Sequence, residues 1–342
     1  MATSEELRRS VSSPRGRRRR LAVTEVLTPN NSGETIEAIR QSLRDGGSLL
    51  PCGNRSRIDR HDLEASPPKW LSMSRLNQIV DIQPDDLTCT LQPGVTAGQL
   101  DEALKGFGLE LGTLSPNQDS GTLGGLFLAP DLSLLRHRYG PPRDQILGGK
   151  WILADATPVI TGAKVVKSVA GYDVTRLFLG SRGRLAACTE LTVRLRSRPR
   201  EIHALSLSEP DLIANAGFDE ARVLVFEGQP FRGWAIFEHK PNPNLPGDRV
   251  DPEEARQGLD SVIQKFSTAP FRLHVKPSKK IPIGLSPIAW DPLGGQIALA
   301  TPPQKNPEGS HLVPPHNRSP WLEKLAEACA PGVKPFGEAR ND

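Results

Sequence analysis

Three glycine-bearing stretches, far apart in the chain and each beside an apolar run, constrain this sequence most. They are Gly53-Asn54-Arg55-Ser56-Arg57, Gly121-Thr122-Leu123-Gly124-Gly125 and Gly180-Ser181-Arg182-Gly183. The first follows a short apolar strand read over Ser48–Pro51, the second opens a helical turn, and the third lies between a short helix and a strand. Backbone relieved of side-chain bulk can turn its amides toward an anion, and a helix N-terminus adds partial positive charge. Ser56, Thr122 and Ser181 add hydroxyl donors, and Arg55 and Arg57 can neutralise a diphosphate. Each stretch taken alone also reads as a plain turn. The sequence has neither a Gly-Lys-Ser/Thr phosphate loop nor a Gly-x-Gly-x-x-Gly fingerprint. Residues alone therefore stop at an α+β protein, with nucleotide binding left open.

The chain has 342 residues, enough for about two domains. Hydrophobic residues make up 37% and charged residues 24%, so a core is affordable and wholesale disorder is excluded. No run approaches the ~18–20 apolar residues of a membrane helix. Aromatics stand at 5%, too few for a base-stacking platform. The net charge of +4 is uneven: residues 1–20 hold seven Arg and two Glu, or +5, leaving −1 for the rest. A near-neutral body does not support nucleic-acid binding. The Arg-rich residues 1–20 read as a disordered tail, without the apolar core of a secretory signal. Cys52, Cys89, Cys188 and Cys329 form no Cys-x-x-Cys pair and read as reduced thiols of a cytoplasmic protein. No metal site is expected, because the seven His lie at no ligand spacing.

Residues 21–51 read as strand, helix, strand, with Ile36, Ile39 and Leu43 on one helix face. Met73–Ile82 and Leu87–Gln92 are strand candidates around the turn Gln83-Pro84-Asp85-Asp86. Thr96 and Gln99 fit a capping box. Ile146–Asp155 and Val159–Thr161 form a hairpin about Ala156-Thr157-Pro158. Asp173 is placed to cap a short helix running to Leu179. Cys188–Arg196 alternates as a half-buried strand. Residues 241–342 carry 17 of the 32 prolines, which favours short strands and long loops over a regular sheet. In that region Ser319-Pro320-Trp321 is the helix start the pattern supports.

Order adds what single motifs lack. The chain reads Leu91-Gln92-Pro93-Gly94-Val95-Thr96, the Gly121–Gly125 stretch, Arg138-Tyr139-Gly140-Pro141-Pro142-Arg143-Asp144, Ile146-Leu147-Gly148, Ala170-Gly171-Tyr172-Asp173-Val174-Thr175-Arg176-Leu177, and Gly180–Gly183. This series resembles the FAD-binding domain of the vanillyl-alcohol oxidase / p-cresol methylhydroxylase family over about residues 24–200. Within it, the Ala170–Leu177 stretch is most similar to FAD-binding subunits of glycolate dehydrogenases (glycolate oxidases). The resemblance implies an α+β, two-subdomain FAD-binding domain over 21–200. Residues 201–342 would then be a Pro-rich α+β region, a reduced substrate-capping domain. It implies a first anion loop of Gly53, Asn54, Arg55, Ser56 and Arg57, and a second of Gly121, Thr122, Gly124 and Gly125. Tyr139, Gly140, Arg143 and Asp144 would sit near the flavin, with Gly180 and Gly183 approaching from the last turn. The family's first loop has consecutive glycines where this chain has Asn54 and Arg55. This chain has no His in that loop, so FAD is expected to be held non-covalently.

The implied function is oxidation of a small 2-hydroxy acid, glycolate to glyoxylate, with flavin as electron acceptor. The implied partners are a second flavin-dependent subunit and an iron–sulfur subunit. No catalytic base is assignable, and His137, beside Arg138 and Tyr139, is the one polar cluster nominated. The alternative is a flavin-free scaffold subunit that docks a catalytic flavoprotein.

Overall fold

The computed structural model describes residues 25–57, 69–113, 121–129, 133–162, 174–210, 217–228, 230–278, 280–281, 285–312 and 320–330. The Arg-rich tail and Asp173 lie outside them. Among the described residues there are three sheets. The first is parallel, with β1 (Val26–Leu27), β2 (Leu49–Cys52) and β3 (Lys69–Ser72) in the order β1-β3-β2. Helix α1 (Ser32–Arg44) serves it. Asn31 Oδ1 accepts from the Glu34 amide at 2.9 Å, and Glu34 reaches back to the Asn30 amide at 2.8 Å, so the first turn is closed by side chains.

The second sheet is antiparallel, with β4 (Ile79–Gln83), β5 (Thr88–Leu91), β6 (Leu109–Leu111), β7 (Ile146–Leu153), β8 (Pro158–Gly162) and β9 (Ala186–Ser197). Its order is β4-β5-β9-β7-β8, with β6 beside β9. Helix α2 (Ala97–Lys105) has the expected capping box: Thr96 Oγ1 accepts from the Gln99 amide at 3.2 Å, and Gln99 Oε1 from the Thr96 amide at 2.9 Å. Leu100 and Leu104 of α2 and Leu123, Leu126 and Phe127 of α3 (Leu123–Leu128) pack on Leu91, Leu191, Val193 and Leu195. A second core joins the two sheets: Leu49, Leu50, Trp70 and Leu71 meet Ile152 and Ala187.

The third sheet holds β10 (His203–Leu207), β11 (Val223–Glu227), β12 (Arg232–Phe237), β13 (Asp248–Val250), β14 (Phe271–His274), β15 (Pro287–Asp291), β16 (Gln296–Leu299) and β17 (His311–Leu312). These run antiparallel in the order β13-β10-β12-β11-β15-β16-β14-β17. One face buries Phe226, Phe237 and Trp290. The other packs on Leu259, Val262 and Phe266 of a later helix and on Leu134 and Leu135, which precede α4 (Arg136–Tyr139).

Four sequence expectations change. Met73–Ile82 is not one strand. β3 ends at Ser72, the Met73 amide donates to Cys52 O, and Leu76 is buried in the turn before β4. Cys188–Arg196 is not half-exposed: β9 lies between β5 and β7, and Thr189 and Thr192 are buried as well as the leucines. The Pro-rich residues 241–342 supply five of the eight strands of a regular sheet, with prolines at element ends, such as Pro287 opening β15 and Pro292 following it. Two further helices follow α5 (Thr175–Phe178). They are α6 (Pro252–Thr268), which the sequence reading missed, and α7 (Pro320–Cys329), which it found. α5 has Val174 at its N-cap and no side-chain cap. Leu325, Cys329 and Ala330 bring the chain back onto the two N-terminal cores.

Candidate functional site

The three glycine stretches meet at the seam between the first two sheets. The loop after β2 places Gly53 against Thr122, so close that a Cβ on Gly53 would stand 2.1 Å from Thr122 Oγ1. Thr122 caps α3, its Oγ1 accepting from the Gly125 amide at 3.2 Å. A Cβ on Gly124 would meet Pro93 Cβ at 2.6 Å, and one on Gly183 would meet Pro51 O at 3.2 Å. Gly183 also has a φ of +76°, which glycine adopts without strain. The third loop is set by α5. Phe178 lies against Trp151 with ring centroids 4.8 Å apart, and Thr175 Oγ1 donates to Thr161 Oγ1 at 2.8 Å. From there the Arg182 amide reaches Leu128 O at 2.8 Å.

Between these loops lies a cavity of about 70 Å³. Gly53, Asn54, Arg55, Ser56, Arg57, Thr122, Gly124, Gly125 and Gly183 line it, together with Arg182, Pro93, Met73 and Cys188. Among the described residues, three arginines and no carboxylate line it. Arg55 is carried over the Trp70 ring, 5.8 Å from its centroid. Ser181, next to Arg182, is 6% exposed with a buried hydroxyl that has no hydrogen-bond partner, but it does not line the cavity. Burial pushes the Cys52 thiol up to about 11 and raises Cys188 as well. Both stay protonated at neutral pH and act as apolar lining.

Gly121 and Gly180 adjoin the cavity in the chain but do not line it. The Tyr139–Asp144 segment goes elsewhere. Tyr139 packs on the third sheet's core, donates to Glu238 at 3.3 Å, and holds the Arg196 guanidinium 5.0 Å from its ring centroid. Gly140, with φ +78°, turns the chain beside Asp144, which pairs with Arg176 at 3.4 Å and Arg143 at 3.8 Å. His137 is bound to Ala221 O at 3.1 Å, and burial lowers its pKa. It therefore stands as a neutral donor to the third sheet, not as a base at the cavity. An ion-pair chain fastens the second sheet and α4 to the third sheet: Arg222 pairs with Glu110 at 2.6 Å and Glu238 at 2.5 Å, and Arg138 with Glu238 at 2.9 Å. The residue that sequence reasoning missed is Arg182. Its signal was an arginine between two glycines in a loop already singled out.

A cation-lined cleft between a small parallel sheet and a larger antiparallel one, closed by glycine-backed loops, defines a two-part dinucleotide-binding domain. Residues 23–162 match the FAD binding domain family and form such a domain. The residues fit the cofactor's diphosphate: the space takes phosphate-sized groups, and three arginines and the hydroxyl-bearing Ser56 and Thr122 line it. The glycolate oxidase subunit GlcD of Bacillus subtilis is 31% identical over 174 residues, covering 51% of this chain and 37% of that protein. A mitochondrial D-lactate dehydrogenase (cytochrome) of Arabidopsis thaliana is 29% identical over 51% of this chain and 30% of its own length. A D-2-hydroxyglutarate dehydrogenase of Stutzerimonas stutzeri is 26% identical over 56% and 41%. The chain thus spans well under half the length of these relatives. A solved alkyldihydroxyacetonephosphate synthase shares the fold, with a TM-score of 0.53 at 15% identity over 71% of this chain and 53% of that one. No described helix is long and apolar enough to cross a membrane, and no group of three metal-ligating side chains occurs among the described residues.

Proposed function

We propose that this chain is the FAD-binding subunit of an oxidoreductase acting on a small 2-hydroxy acid, with glycolate the first candidate. Its partners are a second flavin-dependent subunit and an iron–sulfur subunit. Residues 21–200 are the FAD-binding domain and 201–342 a reduced substrate-capping domain. The observation that carries the reading is the convergence of Gly53, Thr122, Gly124 and Gly183 on one cation-lined cavity. The names of the relatives support the reaction class.

Oxidising a 2-hydroxy acid to the 2-oxo acid removes two electrons and two protons, and bound FAD supplies the two-electron acceptor. This chain's residues bind and orient. Thr122 and Gly124 fix α3 against Pro93, Arg55 and Arg182 supply charge, and Leu50, Met73 and Leu128 keep the floor apolar. Among the described residues the lining holds no imidazole or carboxylate to take the substrate hydroxyl proton. The four cysteines are all free thiols, as suits a reducing cytoplasm.

Purified full-length chain is expected to be yellow, with flavin bands shifted from free FAD. Reconstituted with its partners, it should support glycolate-dependent dye reduction. A colourless chain that also fails to bind added FAD would favour the flavin-free scaffold. FAD binding with reduction by other 2-hydroxy acids alone would remove glycolate.

A further inference from the structure

The N-terminus of α3 has no amides to spare. The Leu123 amide donates to Val95 O at 2.7 Å, Gly124 to Pro93 O at 2.9 Å, and Gly125 to Thr122 Oγ1 at 3.2 Å. An anion in this cleft must be held by something else. Four non-glycine residues among those described have positive φ: Arg55 (59°), Leu87 (52°), Ala156 (70°) and Arg182 (56°). Leu87 and Ala156 sit in the turns joining β4 to β5 and β7 to β8, where the hairpin imposes the conformation. Arg55 and Arg182 belong to two different loops, 127 residues apart in sequence, and both line the same cavity. A left-handed backbone is costly for a side chain of this size, and glycine or asparagine would adopt it with less strain. Strain kept at two arginines facing one cavity points to a ligand.

We propose that Arg55 and Arg182, with Arg57 beside them, form a guanidinium clamp on the diphosphate of the dinucleotide. Binding in this chain is then carried by side-chain charge in place of helix-end amides. Guanidinium groups suit this role because each can meet a phosphate through two parallel N–H donors. Trp70 holds Arg55 from below, and the Arg182 amide bond to Leu128 O anchors its loop. The inference rests on the FAD reading above and names how this site holds its ligand.

The test is FAD titration of the full-length chain, followed by flavin fluorescence at low and high salt, with thermal midpoints of the same samples without FAD. Arg55→Gly and Arg182→Gly are each expected to weaken FAD binding about tenfold or more. Their midpoints should equal or exceed the parent's, since glycine now occupies a left-handed position. Binding by the parent should fall several-fold between roughly 0.05 and 0.5 M NaCl, and the double glycine variant should lose that salt dependence. Arg55→Lys and Arg182→Lys keep charge and backbone but lose the two-donor fork, so they should bind between the parent and the glycine variants and keep the salt dependence even if a glycine variant folds poorly. FAD binding unchanged by the glycine variants and by salt overturns the clamp and leaves the FAD assignment standing. Lysine variants that lose the salt dependence also overturn it. A parent chain that binds neither FAD nor ADP overturns both.

Discussion

Replacing Gly53 with alanine tests the convergence of the loops directly. The new Cβ stands 2.1 Å from Thr122 Oγ1 and 2.8 Å from Thr122 Cγ2, so Thr122 must move. Thr122 is only 3% exposed, and the open space beside it is the cavity it lines. Displacing it takes its oxygen from the Gly125 amide, a cap worth about 1 kcal/mol. Crowding a packed seam costs about 1–3 kcal/mol more, so Gly53→Ala is expected to cost about 2–4 kcal/mol in all. Thr122→Ala alone loses only the cap, about 1 kcal/mol. In the double variant the oxygen and methyl are gone, and the remaining Thr122 Cβ contact at 3.0 Å is tight but bearable. The double variant should therefore cost about 1–2 kcal/mol, far below the sum of the singles. Amide hydrogen exchange over 123–128 is the assay of choice, because a chain with several cores need not unfold in one step. Additive costs, or a neutral Gly53→Ala, would refute the packing of the first loop on the second.

Three further outcomes follow from the same geometry. Burial pushes the Asp291 carboxyl up to about 7. A carboxyl higher folded than unfolded adds stability at low pH and loses it as pH rises from about 4 toward 7. Asp291→Asn should then raise the thermal midpoint at pH 8 and do little at pH 4, and an equal gain at both pH values would count against this. Arg222→Met strips the guanidinium from Glu110, whose side chain is 13% exposed, and should cost about 3–5 kcal/mol at pH 8. Because burial already raises the Glu110 pKa, the loss should shrink at pH 5, where the orphaned carboxyl can take a proton; a pH-independent loss would argue that packing dominates. Thr96→Ala removes one half of the α2 capping box and should cost about 1 kcal/mol, seen as faster amide exchange at 98–100.

Local chemistry carried the sequence reading a long way. The Thr96–Gln99 box, the Ala156 hairpin, and α1 with its Ile36–Ile39–Leu43 face are each decided within a few residues, and the structure has them all. Where the reading failed, a distant partner or an unread local signal was responsible. Asp251-Pro252-Glu253-Glu254 opens α6 with an acidic cap and proline in the first turn. The same signal was read at Ser319-Pro320, so α6 was legible and the proline count obscured it. Tyr139 was different. Its partner Glu238 lies 99 residues on, and no local pattern says that a basic aromatic cluster will turn toward a third sheet.

The glycines show why the cleft itself was legible. They were read as bare backbone offering amides to an anion, yet at α3 those amides are already bonded to Val95, Pro93 and Thr122. What Gly53, Gly124 and Gly183 do is let separate segments of the chain approach to distances that a Cβ at Gly53 or Gly124 would forbid and one at Gly183 would strain. A pattern of glycines after strands marks such a meeting point whichever groups later face the ligand, because close approach needs the missing side chain before any chemistry begins. Which groups do face it depends on backbone conformation that composition does not reveal. Arg55 is legible in the sequence as a partner for a diphosphate and Arg182 only as a loop residue, and only the fold shows that both stand at positive φ on one cavity.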